Sequence, residues 1–166
     1  MRIQRIRNRR VENALPFGKQ LQAAAKAMLE DFVPDQDCGF QDGGCLMFAV
    51  ALQNWSGGVL ELAAIYRPDR PGRAQHVVAR FGTELFLDSD GAGLESDLTA
   101  KMAALEGVPE AFIAGWDSAL NQGDIPFDAM AMARLVRQLE HRLGAFDEAS
   151  FAPYAREAEA VPAGPR

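Results

Sequence analysis

Cys45, His76 and the pair Asp88 and Asp90 are the residues of this chain whose types and order could carry out chemistry. A thiolate is a strong nucleophile, and an imidazole can take and return a proton. A carboxylate can orient that imidazole and stabilise its cation. Cysteine, histidine and acid in this order would suit a thiol hydrolase or acyl transferase. Cys45 follows Gly43-Gly44 and opens the apolar run Cys45 to Leu52. The glycines allow a tight turn into a helix. A thiol at a helix N-terminus meets unpaired N–H groups and the positive end of the dipole, and both favour thiolate. The same N–H groups, that of Cys45 included, can hold a developing oxyanion. The plainer alternative is a buried residue at the head of a core helix, since free cysteine is among the most buried residue types.

His76 stands at the start of the apolar segment Gln75 to Phe81, where a charged imidazole needs a partner. Strand alternation puts His76, Val78 and Arg80 on one face. The other histidine, His141, falls near the end of a late helix, where a solvated cation complements the dipole. His76 is therefore the candidate base. The acid depends on hairpin register. A three-residue loop, Gly82 to Glu84, pairs Phe81 with Leu85. It sets Asp88 opposite Val78 and Asp90 opposite His76, both on the histidine's face. A two-residue loop, Gly82-Thr83, brings Ser89 to His76 and turns both aspartates away. Leu85, Phe86 and Leu87 are apolar in succession, so patterning leaves both registers open.

The elements that must position these residues follow from periodicity. Leu21, Ala24, Ala25, Met28, Leu29 and Phe32 recur at helical spacing and predict a helix from Phe17 to Phe32, stopped by Pro34. The segment from Pro34 to Gly44 reads as a loop. Cys45 to Trp55 is apolar nearly all round, as buried helices are, and Gly57-Gly58 supplies its stop. Val59 to Tyr66 is the first strand. Arg67 to Ala74 reads as a surface loop, and Gln75 to Phe81 with Glu84 to Leu87 as a hairpin. Leu94 to Leu105, Pro109 to Leu120 and Phe127 to Leu143 are the expected later helices. This order gives an α+β fold with a small antiparallel sheet.

Residues 1–160 are expected to form a single domain, in which 1–12 is a basic arm carrying Arg2, Arg5, Arg7, Arg9 and Arg10; 161–166 reads as a disordered tail. The chain has 166 residues, 48% of them hydrophobic, enough for a real core. Its formal net charge of −6 argues against a general nucleic-acid binder, leaving only weak contact through the arginine arm. No apolar run approaches a membrane span, and no apolar segment follows the first arginines. A cytoplasmic location is the expectation. Two cysteines without a CxxC pair and two histidines make a closed zinc site a poor fit. Asp88-Ser89-Asp90-Gly91 lacks the glutamate that a calcium loop needs, because Thr99 stands at its twelfth position. No cofactor and no metal is expected.

Gly43-Gly44-Cys45-Leu46-Met47-Phe48-Ala49, followed by Gln75-His76-Val77-Val78 and Leu87-Asp88, resembles the core of papain-like and transglutaminase-like cysteine enzymes. It is similar also to small bacterial and phage proteins with a Gly-Gly-Cys helix and a short His-to-Asp hairpin. The resemblance covers about fifty residues of the chain. It implies a papain-like fold with Cys45 as nucleophile, His76 as base and Asp88 as orienter, with Asp90 the second choice. Gly39 stands where papain-type enzymes place an oxyanion glutamine, and Gln41 is the nearby amide that could serve instead. The implied activity is hydrolysis or acyl transfer on an amide, ester or thioester of a protein, peptide or small amide substrate. The alternative is an inactive binding or structural module on the same fold, with phage or mobile-element origins. In that module Cys45 is merely buried, and Phe112, Trp116 and Phe127 cover the sheet, cap a cleft or form a homodimer face.

Overall fold

The computed structural model describes residues 2–36, 38–41, 43–116 and 128–151, with backbone alone for 2–16 and 35. The first helix, α1 (Arg2–Gln36), buries Leu21, Ala24, Ala25, Met28 and Phe32, which fall on one face at helical spacing. The second, α2 (Cys45–Trp55), is the buried helix its composition predicts, with Met47, Phe48, Ala49, Ala51, Leu52 and Trp55 all in the core. Five strands follow: β1 (Glu61–Arg67), β2 (Arg70–Phe81), β3 (Leu85–Asp88), β4 (Gly91–Leu94) and β5 (Phe112–Gly115). They form one antiparallel sheet in the order β4-β3-β2-β1-β5. Helix α3 (Glu95–Glu106) lies between β4 and β5 in sequence, and α4 (Ala129–Leu143) closes the set. The described chain is thus α+β, with an antiparallel sheet and four helices.

Strand alternation divides the core. Ala79, Phe81, Leu85 and Leu87 pack under α1, α2 and α4 with Phe48, Leu52, Leu135 and Leu139. Ala63, Ile65, Val78 and Phe86 form a second cluster, where Leu98 and Met102 of α3 cover them. The β4 edge is closed by α1 at very short range. A Cβ on Gly91 would stand 2.7 Å from the Gly18 carbonyl oxygen, and Gly91 has φ +120°. Only glycine meets both demands.

Several elements depart from the sequence expectation. Pro34 does not stop α1, which runs to Gln36, because a proline in the last turn removes only one ladder bond before the helix ends anyway. The helix starts at Arg2, so the backbone of the segment read as a basic arm is helical. Arg67 to Ala74 is not a loop: the two strands continue and turn at Pro68-Asp69, where Arg67 pairs with Asp69 at 2.6 Å. Glycines 91 and 93 sit in a strand, where Gly91 pairs with Asp88. The expected helix from Pro109 to Leu120 contains strand β5 instead, with Ile113 opposite Ile65 and Phe112 opposite Tyr66. Phe112-Ile113 offers a β-branched and aromatic pair, and the open edge of β1 supplies the partner that helical periodicity could not reveal. The 161–166 tail and Phe127 lie outside the described residues. No helix among the described residues is long and apolar enough to cross a membrane.

Candidate active site

The hairpin register decides the acid. Phe81 pairs with Leu85, Arg80 with Phe86 and Ala79 with Leu87, which is the three-residue loop. Continued by one step, this register puts Asp88 beside Val78, on the side of the sheet that His76 shares. His76 and Asp88 are diagonal neighbours. Their side chains meet: His76 Nε2 lies 2.9 Å from Asp88 Oδ2, and both residues are buried. The other oxygen, Oδ1, accepts the Asp90 backbone N–H at 2.8 Å and locks the turn to β4. One carboxylate therefore both holds the imidazole and fixes its own backbone. A local irregularity helps to aim His76. Tyr66 pairs with Ala74 and Ile65 with His76, so Gln75 is an extra residue, a bulge immediately before the histidine.

Cys45 comes to the same place from the other side. The pairing of β2 with β3 ends at Ala79, so on that side Val77 and His76 have no strand neighbour. The N-terminus of α2 fills the gap. The Cys45 sulfur interacts with the His76 side chain and with the backbone N–H groups of Val77 and Leu46. The loop before the helix is shaped for this entry. Phe40 is buried between Phe32 and Phe48, and the Gly44 N–H donates to the Gly39 carbonyl at 2.8 Å. A Cβ on Gly44 would stand 2.8 Å from that same carbonyl oxygen and from the Phe32 ring, so the second glycine is required by packing. The first ladder bond of α2 runs from the Phe48 N–H to the Gly44 carbonyl at 3.0 Å. Cys45, Leu46 and Met47 therefore present N–H groups that precede the helix's own ladder.

The electrostatics favour an ion pair. Burial pushes the Cys45 thiol up, but the neighbouring His76 side chain and its charge, with the Val77 and Leu46 N–H groups, carry it below its ordinary value. Burial works against the imidazolium too, yet Asp88 and Cys45 push His76 up to about 9. Asp88 occupies Nε2, which fixes the tautomer and leaves Nδ1 for the thiol. Nδ1 is buried with no partner at hydrogen-bonding geometry. Contacts of this kind commonly tighten only with substrate in place. Cys45 is half-buried, and Leu46, Leu62, Ala74 and Trp116 pack partly exposed around its cluster. The thiol thus borders an apolar surface.

Cys45, His76 and Asp88 converge, and the other candidates do not. Asp90 is exposed, and its carboxylate pairs with Lys101. Gln41 points its amide to Ser89, with Nε2 2.6 Å from the hydroxyl oxygen, a partner on the β3–β4 turn and not the thiol. His141 is exposed in the last turn of α4. Sequence reading missed the Val77 N–H and the bond between Gln41 and Ser89. A backbone donor leaves no sequence signal, and Ser89 entered only as the residue that the other register would bring to His76. Among the described residues no group of three or more histidine, cysteine or acidic side chains could hold a metal ion. Comparisons with protein-family models, curated proteins and solved structures find no match to this chain.

Proposed function

We propose that the chain is a thiol-dependent hydrolase or acyl transferase with a papain-like or transglutaminase-like core, acting on an amide, ester or thioester through Cys45, His76 and Asp88. The observation that carries this reading is the convergence of a depressed thiol, a raised imidazole and a buried carboxylate from three separate elements. A merely buried cysteine needs none of these partners.

The chemistry follows from the placement. The Cys45 thiolate attacks the carbonyl carbon, and the carbonyl electron pair moves onto oxygen. The Cys45 N–H at the head of α2 is placed to stabilise that oxyanion. The His76 imidazolium then gives its Nδ1 proton to the leaving amine, alcohol or thiol as the tetrahedral adduct collapses to an acyl-enzyme. Neutral His76 next takes a proton from water or an amine, which attacks the thioester and releases the acid or the transferred acyl product. Asp88 keeps Nε2 protonated throughout, so that Nδ1 faces the thiol.

The test is capture of the acyl-enzyme. A panel of activated esters, thioesters and anilides is offered to the Cys38→Ser protein, followed by intact mass and peptide mapping. A stoichiometric acyl adduct on Cys45, formed at neutral pH and slowed in His76→Gln, is the expected outcome. No adduct from any acyl donor between pH 5 and 9, in a folded protein, overturns the proposal.

A further inference from the structure

The nucleophile and its acid sit on separate pieces of chain. Cys45 follows the loop residues 38–41 and 43–44, while Asp88 ends β3 and begins the turn to β4. A side-chain hydrogen bond joins that loop to that turn: Gln41 Nε2 donates to Ser89 Oγ at 2.6 Å. Ser89 is buried next to Asp88, and the turn it occupies is tied down by the Asp90 N–H bonded to Asp88 Oδ1. At the loop end, Phe40 beside Gln41 is clamped between two aromatic rings, and the Gly44–Gly39 backbone bond closes the loop. Gln41 is exposed, but its neighbour Phe40 and its acceptor Ser89 are both buried, so the bond spans two anchored points and can transmit position.

We infer that Gln41 and Ser89 are positioning residues: their hydrogen bond is a strut that sets the separation between Cys45 and the His76–Asp88 pair. This rests on the proposed Cys45–His76–Asp88 chemistry and replaces the oxyanion role that the sequence suggested for Gln41. The thiolate–imidazolium pair is sensitive to small displacements, because Coulomb attraction and hydrogen-bond geometry both weaken steeply with distance. His76 Nδ1 already lacks a partner at hydrogen-bonding geometry. Releasing the strut lets the Cys45 loop move relative to the Asp88 turn, and the thiol loses part of its imidazolium.

The measurement is Cys45 alkylation by iodoacetamide against pH, in the Cys38→Ser background. Alkylation is a displacement at saturated carbon with no oxyanion, so it reads thiolate pairing alone. Native protein, His76→Gln, Gln41→Ala, Ser89→Ala, Ser89→Thr and the Gln41→Ala/Ser89→Ala double variant are compared, each with a thermal melt. The expected result is a raised apparent thiol pKa in both alanine variants, with a severalfold lower rate at acidic pH. The double variant matches either single one, and Ser89→Thr, which keeps the hydroxyl, stays close to native. A native profile in both alanine variants, while His76→Gln is shifted, overturns the strut and leaves the catalytic reading standing. Melts that fall without any change in the profile overturn the strut in the same way. An ordinary thiol profile in the native protein, indifferent to His76→Gln, overturns the catalytic reading and the strut with it.

Discussion

His76→Gln probes the interaction on which the proposed chemistry depends. Glutamine is close to histidine in reach and offers an amide donor to Asp88, so the buried carboxylate keeps a partner. Alanine would leave that carboxylate unpaired at a cost of about 3–5 kcal/mol. In the native protein His76 is raised to about 9. Against an ordinary value of about 6.5, this corresponds to about 3 kcal/mol in favour of the imidazolium, after burial has taken its share. Glutamine carries no charge, so the variant thiol loses that cation and keeps the burial that pushes it up. Its pKa rises above the native value, because burial stays and the imidazolium is gone, with only the Val77 and Leu46 N–H groups still opposing it. The variant therefore labels more slowly at acidic pH, relative to its own alkaline plateau, than the native thiol does. The assay is iodoacetamide labelling of Cys45 from pH 5 to 10 in the Cys38→Ser background, with circular dichroism to show the fold intact. Native and variant profiles that superimpose would refute the ion pair.

The same pair governs stability against pH. His76 is raised, so its contribution is full below about 6.5 and fades as pH climbs through about 9. Cys45 is lowered, so its contribution is full above its ordinary value and fades as pH falls through its folded value. The two contributions run in opposite directions with pH, so they offset one another wherever both groups titrate. An NMR titration of the His76 imidazole reads its share directly: proton loss near 9 is expected, and proton loss at the ordinary value of about 6.5 counts against the assignment. Gly91→Ala must place a Cβ 2.7 Å from the Gly18 oxygen at a φ of +120°. It loses more than the 1–3 kcal/mol typical of backbone strain alone, and a chemical-denaturation midpoint near native would refute the close crossing of α1 and β4. Asp128 caps α4 by accepting the Met130 and Ala131 N–H groups at 2.9 and 3.0 Å. Asp128→Ala lowers Tm by about 2–4 °C; an unchanged melt would refute the cap.

The sequence by itself determined the residues that depend on local pattern. Gly44-Cys45 at the head of an all-apolar segment required a buried helix with a thiol at its start, and α2 is that helix. Val59 to Tyr66 and Gln75 to Phe81 required strands through alternation and β-branched content, and α4 ends at Leu143 as Gly144 demands. Histidine in an apolar strand required a partner, because burial without one is costly. Which partner was beyond local reading. A slip of one residue exchanges Asp88 for Ser89 beside His76, and Leu85-Phe86-Leu87 carries no alternation to fix it. The tertiary structure decides it, since Leu85 and Leu87 pack under the helices while Phe86 faces α3. It likewise makes β5 a strand, because β1 offers it an edge, and it sends Gln41 to Ser89 and Asp90 to Lys101. These choices depend on groups far apart in the chain, and only the packed fold brings them within reach.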